Sequence, residues 1–127
     1  PSGPVFLDAD CAWWGDPAFD LAFCLNLLLL KCLWTPSASA GVMACFEALS
    51  ARYLAGITWD AADVLEARAA RLLPGLFLAR VEGKSPVEYL TEEPDKNRVR
   101  RVARALLTKP TDRLLVVRAA WGEEIGA

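Results

Sequence analysis

The chain has 127 residues, 54% of them hydrophobic, with a formal net charge of −2 and no histidine. That is one domain's worth of sequence with material for a substantial core. The balanced charge argues against a nucleic-acid binder, and the missing histidine removes Ser-His-Asp triads, His-based acid–base chemistry and most zinc sites.

The N-terminal stretch carries no basic region followed by a long apolar run, so it does not read as a signal peptide. It opens on a turn-like Pro1-Ser2-Gly3-Pro4 without an initiator Met, which suggests a piece of a longer protein. Val5, Leu7 and Ala9 then alternate with Phe6, Asp8 and Asp10. Period two predicts a short strand with Asp8 and Asp10 on one side. Gly15-Asp16-Pro17 predicts a turn and a helix start, with Asp16 as N-cap and Pro17 at the first helical position. The helix should run to about Trp34 and stop before Thr35-Pro36. It is apolar on nearly every face, as expected of a central helix surrounded by others. Its most apolar run, Leu21 to Leu30, is too short to span a bilayer and is interrupted by Asn26, so no membrane segment is expected.

A second helix is expected from Ser37 or Ser39 to Leu54, ended by Gly56. A third, capped by Thr58 or Asp60, carries Val64, Leu65, Leu72 and Leu73, and Pro74-Gly75 should kink or break it before helix resumes over Leu76 to Val81. Glu82 to Pro86 reads as a loop and Pro86 as the opening of a short turn through Tyr89-Leu90. Glu93-Pro94-Asp95 starts a helix with Val99, Val102, Ala103 and Leu106 on one stripe, ended by Lys109-Pro110. Thr111 or Asp112 starts the last helix, with Leu114, Leu115, Val117 and Trp121 packing inward. The predicted fold is mainly α, with one short N-terminal strand. Residues 1–16 form a strand and loop, and 17–127 a helical subdomain. The cysteines Cys11, Cys24, Cys32 and Cys45 form no C-x-x-C pair and read as buried free thiols in a reducing cytoplasm.

Asp8 and Asp10 are the first candidates for chemistry. Two carboxylates on one strand face make a hard oxygen site suited to Mg²⁺. Spacing alone favours the plainer reading, a solvated strand end entering a turn. Arg98, Arg100, Arg101 and Arg104 share one helix and read as a solvated face rather than an anion-steering patch. Trp13-Trp14 could line a pocket or pack in a core or between lobes. Arg80 could contact a phosphate or pair with Glu82 or Glu88.

The string LDADCAWWGDPAFDLA, Leu7 to Ala22, resembles the segment after the catalytic loop in the aminoglycoside phosphotransferase and choline kinase-like family. Val5-Phe6-Leu7 matches that family's apolar strand, Asp8 its metal ligand, Gly15-Asp16-Pro17 its turn and Asp20-Leu21-Ala22 the opening of its buried helix. The pair Asp8 and Asp10 also resembles the methylthioribose kinase branch, where the second position is usually Glu. The stretch Ala79 to Leu90 is similar to a C-terminal segment of bacterial members.

The resemblance implies the helical part of the C-terminal lobe of a protein-kinase-like fold. It implies Asp8 as an Mg²⁺ ligand against the ATP phosphates, Asp10 as a second, and Asp20 as a structural support of the catalytic loop. The implied reaction is ATP-dependent phosphorylation of a hydroxyl on a small molecule, and the implied partners are that acceptor and the N-terminal part of the same protein. The family's base lies in an upstream His-Gly-Asp loop, so no catalytic residue is assigned in this chain, and the chain alone is expected to be inactive. A strand without its hairpin partner is expected to pair with another copy, giving a homodimer, or to be poorly ordered. The rival readings are a non-enzymatic helical interaction module and a kinase-like pseudoenzyme.

Overall fold

In a computed structural model, described over residues 3–5, 7 and 12–127, the chain is mainly helical. Five α-helices follow one another: α1 (Pro17–Trp34), α2 (Ser39–Gly56), α3 (Ala62–Glu82), α4 (Glu93–Thr108) and α5 (Leu114–Ile125), with a 3₁₀ turn over Pro36–Ala38. There is no strand among the described residues. Of the expected strand, Val5 and Leu7 are described, and both are exposed and outside regular structure. Phe6, Asp8 and Ala9 lie outside the described residues. A ladder needs a second strand, and the described residues offer none.

α1 forms where the sequence places it. The Asp16 carboxylate accepts from the Ala18 N–H at 3.0 Å, and Pro17 occupies the first turn. Thr35 closes the helix, donating its N–H to the Lys31 carbonyl at 3.0 Å. Ala18, Leu21, Ala22, Leu25 and Leu29 recur at helical spacing and are buried. α1 packs chiefly on α3, whose Leu65, Ala69, Ala70, Leu73 and Phe77 are also buried. Alanines on both helices let the backbones approach closely. α2 packs against α1 as well, and its Met43 and Phe46 are buried.

The helix is not surrounded, however. Phe19, Asp20, Cys24 and Trp34 are exposed, so its outer face opens to solvent. α1 is long and apolar enough to cross a bilayer, but 44% of that stretch is buried in this core. Asn26 is buried within it and donates its side-chain amide to the Phe23 carbonyl at 2.5 Å.

Several helix starts differ from expectation. Neither Ser37 nor Ser39 caps α2, because the 3₁₀ turn takes up the entry and Ala38 stands at the cap without a side-chain bond. Ala61 holds the cap position of α3, with Asp60 one residue earlier accepting from the Ala61 N–H at 2.8 Å. Within α3, Val64 and Leu72 face outward while Leu65 and Leu73 carry the core.

Pro74 does not break α3, which runs unbroken to Glu82. Proline removes one N–H and crowds the preceding turn. Here it is buried on the same face as Ala70, Leu73 and Phe77, so packing outweighs the lost bond.

Cys32 is buried, but Cys24 and Cys45 are exposed free thiols, since each falls on the open side of its helix. Cys11 lies outside the described residues.

α4 starts at Glu93-Pro94 and buries Val99, Val102 and Ala103, as its stripe predicts. Its arginines form a solvated, paired face. Arg100 binds Glu82 at 2.8 Å and also pairs with Glu93, Arg101 pairs with Glu124 at 2.5 Å, Arg104 with Glu82 at 3.1 Å and Arg98 with Asp95 at 3.4 Å.

α5 begins at Leu114, two or three residues later than Thr111 or Asp112 would give. Leu114, Val117 and Trp121 point inward and Leu115 outward. Trp121 is fully buried, sets its ring edge-on to Phe77 at 4.9 Å, and donates its indole N–H to the Leu29 carbonyl of α1 at 3.0 Å. Gly126 ends the helix in the left-handed region at φ 74°, where glycine carries no Cβ penalty.

The start of α5 is capped from another helix. The buried Leu114 N–H donates to Glu66 Oε1 of α3 at 3.0 Å, and Arg113 lies 3.5 Å from the same oxygen. Glu66→Ala should lower unfolding free energy by about 1–3 kcal/mol, the cost of an unpaired buried donor. Glu66→Gln, which keeps an acceptor oxygen, should lose less than half of that. Urea denaturation of both variants checks this; equal losses would mean the cap oxygen is not what matters.

Candidate functional site

The N-terminal end of α1 gathers the sequence's chemical residues that the structure describes. Asp16 has two jobs there. One is the N-cap bond to Ala18, and the other is an ion pair with Arg68 of α3, Nε to Oδ2 at 3.0 Å. Arg68 also reaches Asp60 Oδ2 through Nη2 at 2.7 Å. One guanidinium fork thus ties the start of α1 to the loop before α3.

The electrostatics follow from this bridge. The Ala18 N–H, helped by Arg68, holds the Asp16 carboxyl below its ordinary value. Arg68 first, then the Ala61 N–H, does the same for Asp60. The two carboxylates raise Arg68 in return, Asp60 more than Asp16.

Asp20 projects from the first turn of α1 into solvent, without a hydrogen bond or ion pair among the described residues. The apolar surroundings of the helix predict a supported carboxylate at this position. In the chain as described the side chain is instead exposed, because the outer face of α1 lacks a covering element. Its charge is felt nearby. Burial and then Asp20 push the Cys24 thiol up, and burial followed by Asp20 does the same for the Tyr53 phenol of α2. Both effects disfavour the thiolate at Cys24.

Trp13 and Trp14 are 81% and 99% exposed, so neither packs in this core. Trp59, which sequence reasoning did not single out, joins them. Trp13, Trp14, Gly15, Pro17 and Trp59 line a shallow cleft of about 280 Å³. A smaller one of about 80 Å³ is lined by Trp13, Gly15, Asp16, Pro17, Phe19 and Asp20. A Cβ at Gly15 would sit in ordinary contact with the Trp13 ring at 3.4 Å, so the ring packs over this turn. The structure thus brings Trp13 together with Asp16 and Asp20 at an open aromatic and acidic edge.

Asp8 and Asp10 lie outside the described residues. Among the described residues no group of three His, Cys, Asp or Glu side chains is close enough to hold a metal ion. Arg68 and Trp59 were missed because their partners are distant in sequence: Arg68 and Asp16 are 52 residues apart. The Trp59-Asp60 loop ahead of a helix was the available signal.

Comparison of the chain with protein-family models, curated proteins and solved structures finds no match.

The Arg68 bridge has a pH signature. Asp16 and Asp60 both titrate below an ordinary value of 3.8. A depressed carboxyl favours the folded state fully above its unfolded pKa and loses that contribution as pH falls through its folded pKa. Arg68→Met should therefore lower Tm at neutral pH, and the gap to the unsubstituted chain should close as pH falls from about 4 toward 2. Thermal melts across that range check it; a gap independent of pH would assign the loss to packing.

Proposed function

We propose that this chain is the metal-binding edge and helical part of the C-terminal lobe of a kinase-like phosphotransferase. The enzyme would use ATP and Mg²⁺ to phosphorylate a hydroxyl of a small molecule. The observation that carries the reading is the Leu7 to Ala22 string, with the spacing Asp8, Gly15-Asp16-Pro17, Asp20-Leu21-Ala22. The way that string folds supports it. Its Gly-Asp-Pro element caps a core helix, and Asp20 is left with an open side at that helix's first turn. An unpaired carboxylate beside an apolar edge suits a group that receives backbone N–H donors from another segment.

In this reading Asp8 contributes a hard oxygen ligand to the metal and Asp10 a second. Bound Mg²⁺ would neutralise charge on the phosphoryl group in transfer. Asp20 would accept hydrogen bonds from the catalytic-loop backbone and so position a base that this His-free chain does not hold. Trp13 and Trp14 would present aromatic surface to the acceptor or to the adjoining part of the protein. Free thiols at Cys24, Cys32 and Cys45 and ATP as donor go with a cytoplasmic setting.

The test needs the chain joined to a segment bearing the catalytic loop and nucleotide-binding lobe. Asp8→Ala in that protein should abolish Mg²⁺-dependent phosphorylation, while circular dichroism keeps the helical signal. Asp20→Asn should reduce kcat more than acceptor KM. The 127-residue chain alone should show no turnover with ATP, Mg²⁺ and a panel of sugar, amino-sugar and amino-alcohol acceptors. Activity surviving Asp8→Ala, or turnover by the chain alone, would overturn the assignment.

A further inference from the structure

The outer face of α1 is patterned as well as open. At 3.6 residues per turn, Phe23, Trp34, Leu27, Asp20, Lys31 and Cys24 fall within an arc of about 100° around the helix. The buried Ala18, Leu25 and Leu29 lie on the opposite side, toward the core. Within the outer arc Asp20, Cys24 and Trp34 are exposed, and Phe23, Leu27 and Lys31 are half-buried. The steps from Asp20 to Cys24, Leu27, Lys31 and Trp34 alternate between four and three residues, the spacing of a coiled-coil seam. The face is thus an apolar stripe with an acid in its first turn and a base in its last.

The two charges are placed alike. Asp20 and Lys31 stand about three turns apart along the helix and only about 20° apart around it. Neither makes an ion pair among the described residues. The Lys31 ammonium rests over rings instead, 4.2 Å from the Trp34 centre and 5.4 Å from that of Tyr89. Tyr89 in turn stacks on Trp34 at 4.8 Å and 19°, which holds the base at the C-terminal end of the stripe.

An apolar stripe with opposite charges at its two ends is complementary to itself. A two-fold axis crossing α1 between Leu25 and Asn26 sets two copies of the helix antiparallel. Asp20 of each copy then stands level with Lys31 of the other, and Cys24 with Leu27. Trp34 comes level with Pro17 of the other copy, where Trp13, Trp14 and Trp59 line their shallow cleft. A parallel pairing would set Asp20 on Asp20 and Lys31 on Lys31, so charge selects the antiparallel one.

We propose that the 127-residue chain forms a dimer through this face, α1 packing antiparallel against α1 of a second copy. The interface is isologous, the same patch on both copies. It is built from the core helix rather than from the expected N-terminal strand. The pairing belongs to the chain by itself and does not rest on the phosphotransferase reading, in which a joined segment would take the same carboxylate.

Sedimentation velocity of the 127-residue chain over a concentration series tests this, and a reversible monomer–dimer equilibrium is expected. Asp20→Lys sets like charges together at both ends of the interface and should raise the dimer dissociation constant at least about tenfold. Lys31→Glu should do the same. The two variants mixed in equal amounts should dimerise again, since each carries the charge the other lacks. The double variant Asp20→Lys/Lys31→Glu should also recover the dimer. Circular dichroism verifies that every variant keeps its helices, and both side chains lie off the core. Three results would each overturn the proposal: a monomer at every concentration, a dimer that neither single change weakens, or a double variant that dissociates as readily as the single ones.

Discussion

The contact between α1 and α3 is the constraint on which the rest of the molecule depends. Ala18, Leu21, Ala22, Leu25 and Leu29 present one stripe, and Ala69, Ala70, Leu73 and Phe77 answer it. Apolar burial of this kind is the dominant favourable term in folding. Its geometry also sets the polar bridge at the N-terminal end of α1. The start of α1 lies against α3 closely enough for Arg68 to bridge Asp16 and Asp60. Trp121 adds a second fastening, since its indole reaches a backbone carbonyl in the middle of α1 and brings α5 into the same core. A small domain can afford few loose elements, and here each later helix is tied to α1 or α3 by at least one buried anchor.

What the sequence made legible was local. Asp16-Pro17 and Thr35-Pro36 bracket α1 because a cap and a proline act within a few residues of themselves. The stripe Val99, Val102, Ala103 names the buried face of α4 for the same reason. The failures are non-local. Ser39 looks like a cap, but a 3₁₀ turn feeds the helix from behind it. Pro74 looks like a breaker, but burial on the α3 core face keeps the helix whole. Glu66 caps a helix that starts 48 residues away, and no pattern near either residue announces it. The candidate site divides in the same way: Asp16 as cap was readable, while Arg68 and Trp59 enter only when the chain is folded.

The outer face of α1 shows where apolar patterning overstates burial. A helix that is apolar all round reads as fully enclosed. In this chain α3 and α2 cover part of it, and Phe19, Cys24 and Trp34 remain at the surface. Trp13, Trp14 and Trp59 extend that apolar surface past the helix's N-terminal end. Trp13, Trp14 and Trp59 are all exposed at that end. The aromatic edge and the unpaired Asp20 share one end of α1, so a segment that docks there would meet both a carboxylate acceptor and aromatic rings.

The distribution of arginines separates scaffold from candidate sites. Arg98, Arg100, Arg101 and Arg104 of α4 each have a carboxylate within ion-pair distance, and mostly exposed pairs of this kind contribute little to stability. They cancel charge locally and leave no field to steer an anion. Arg68 is spent on two aspartates. Arg80 differs from all of these: its Nε is shielded from solvent without a hydrogen-bond partner among the described residues, its guanidinium lies over the Phe23 ring, and Glu82 is already committed to α4.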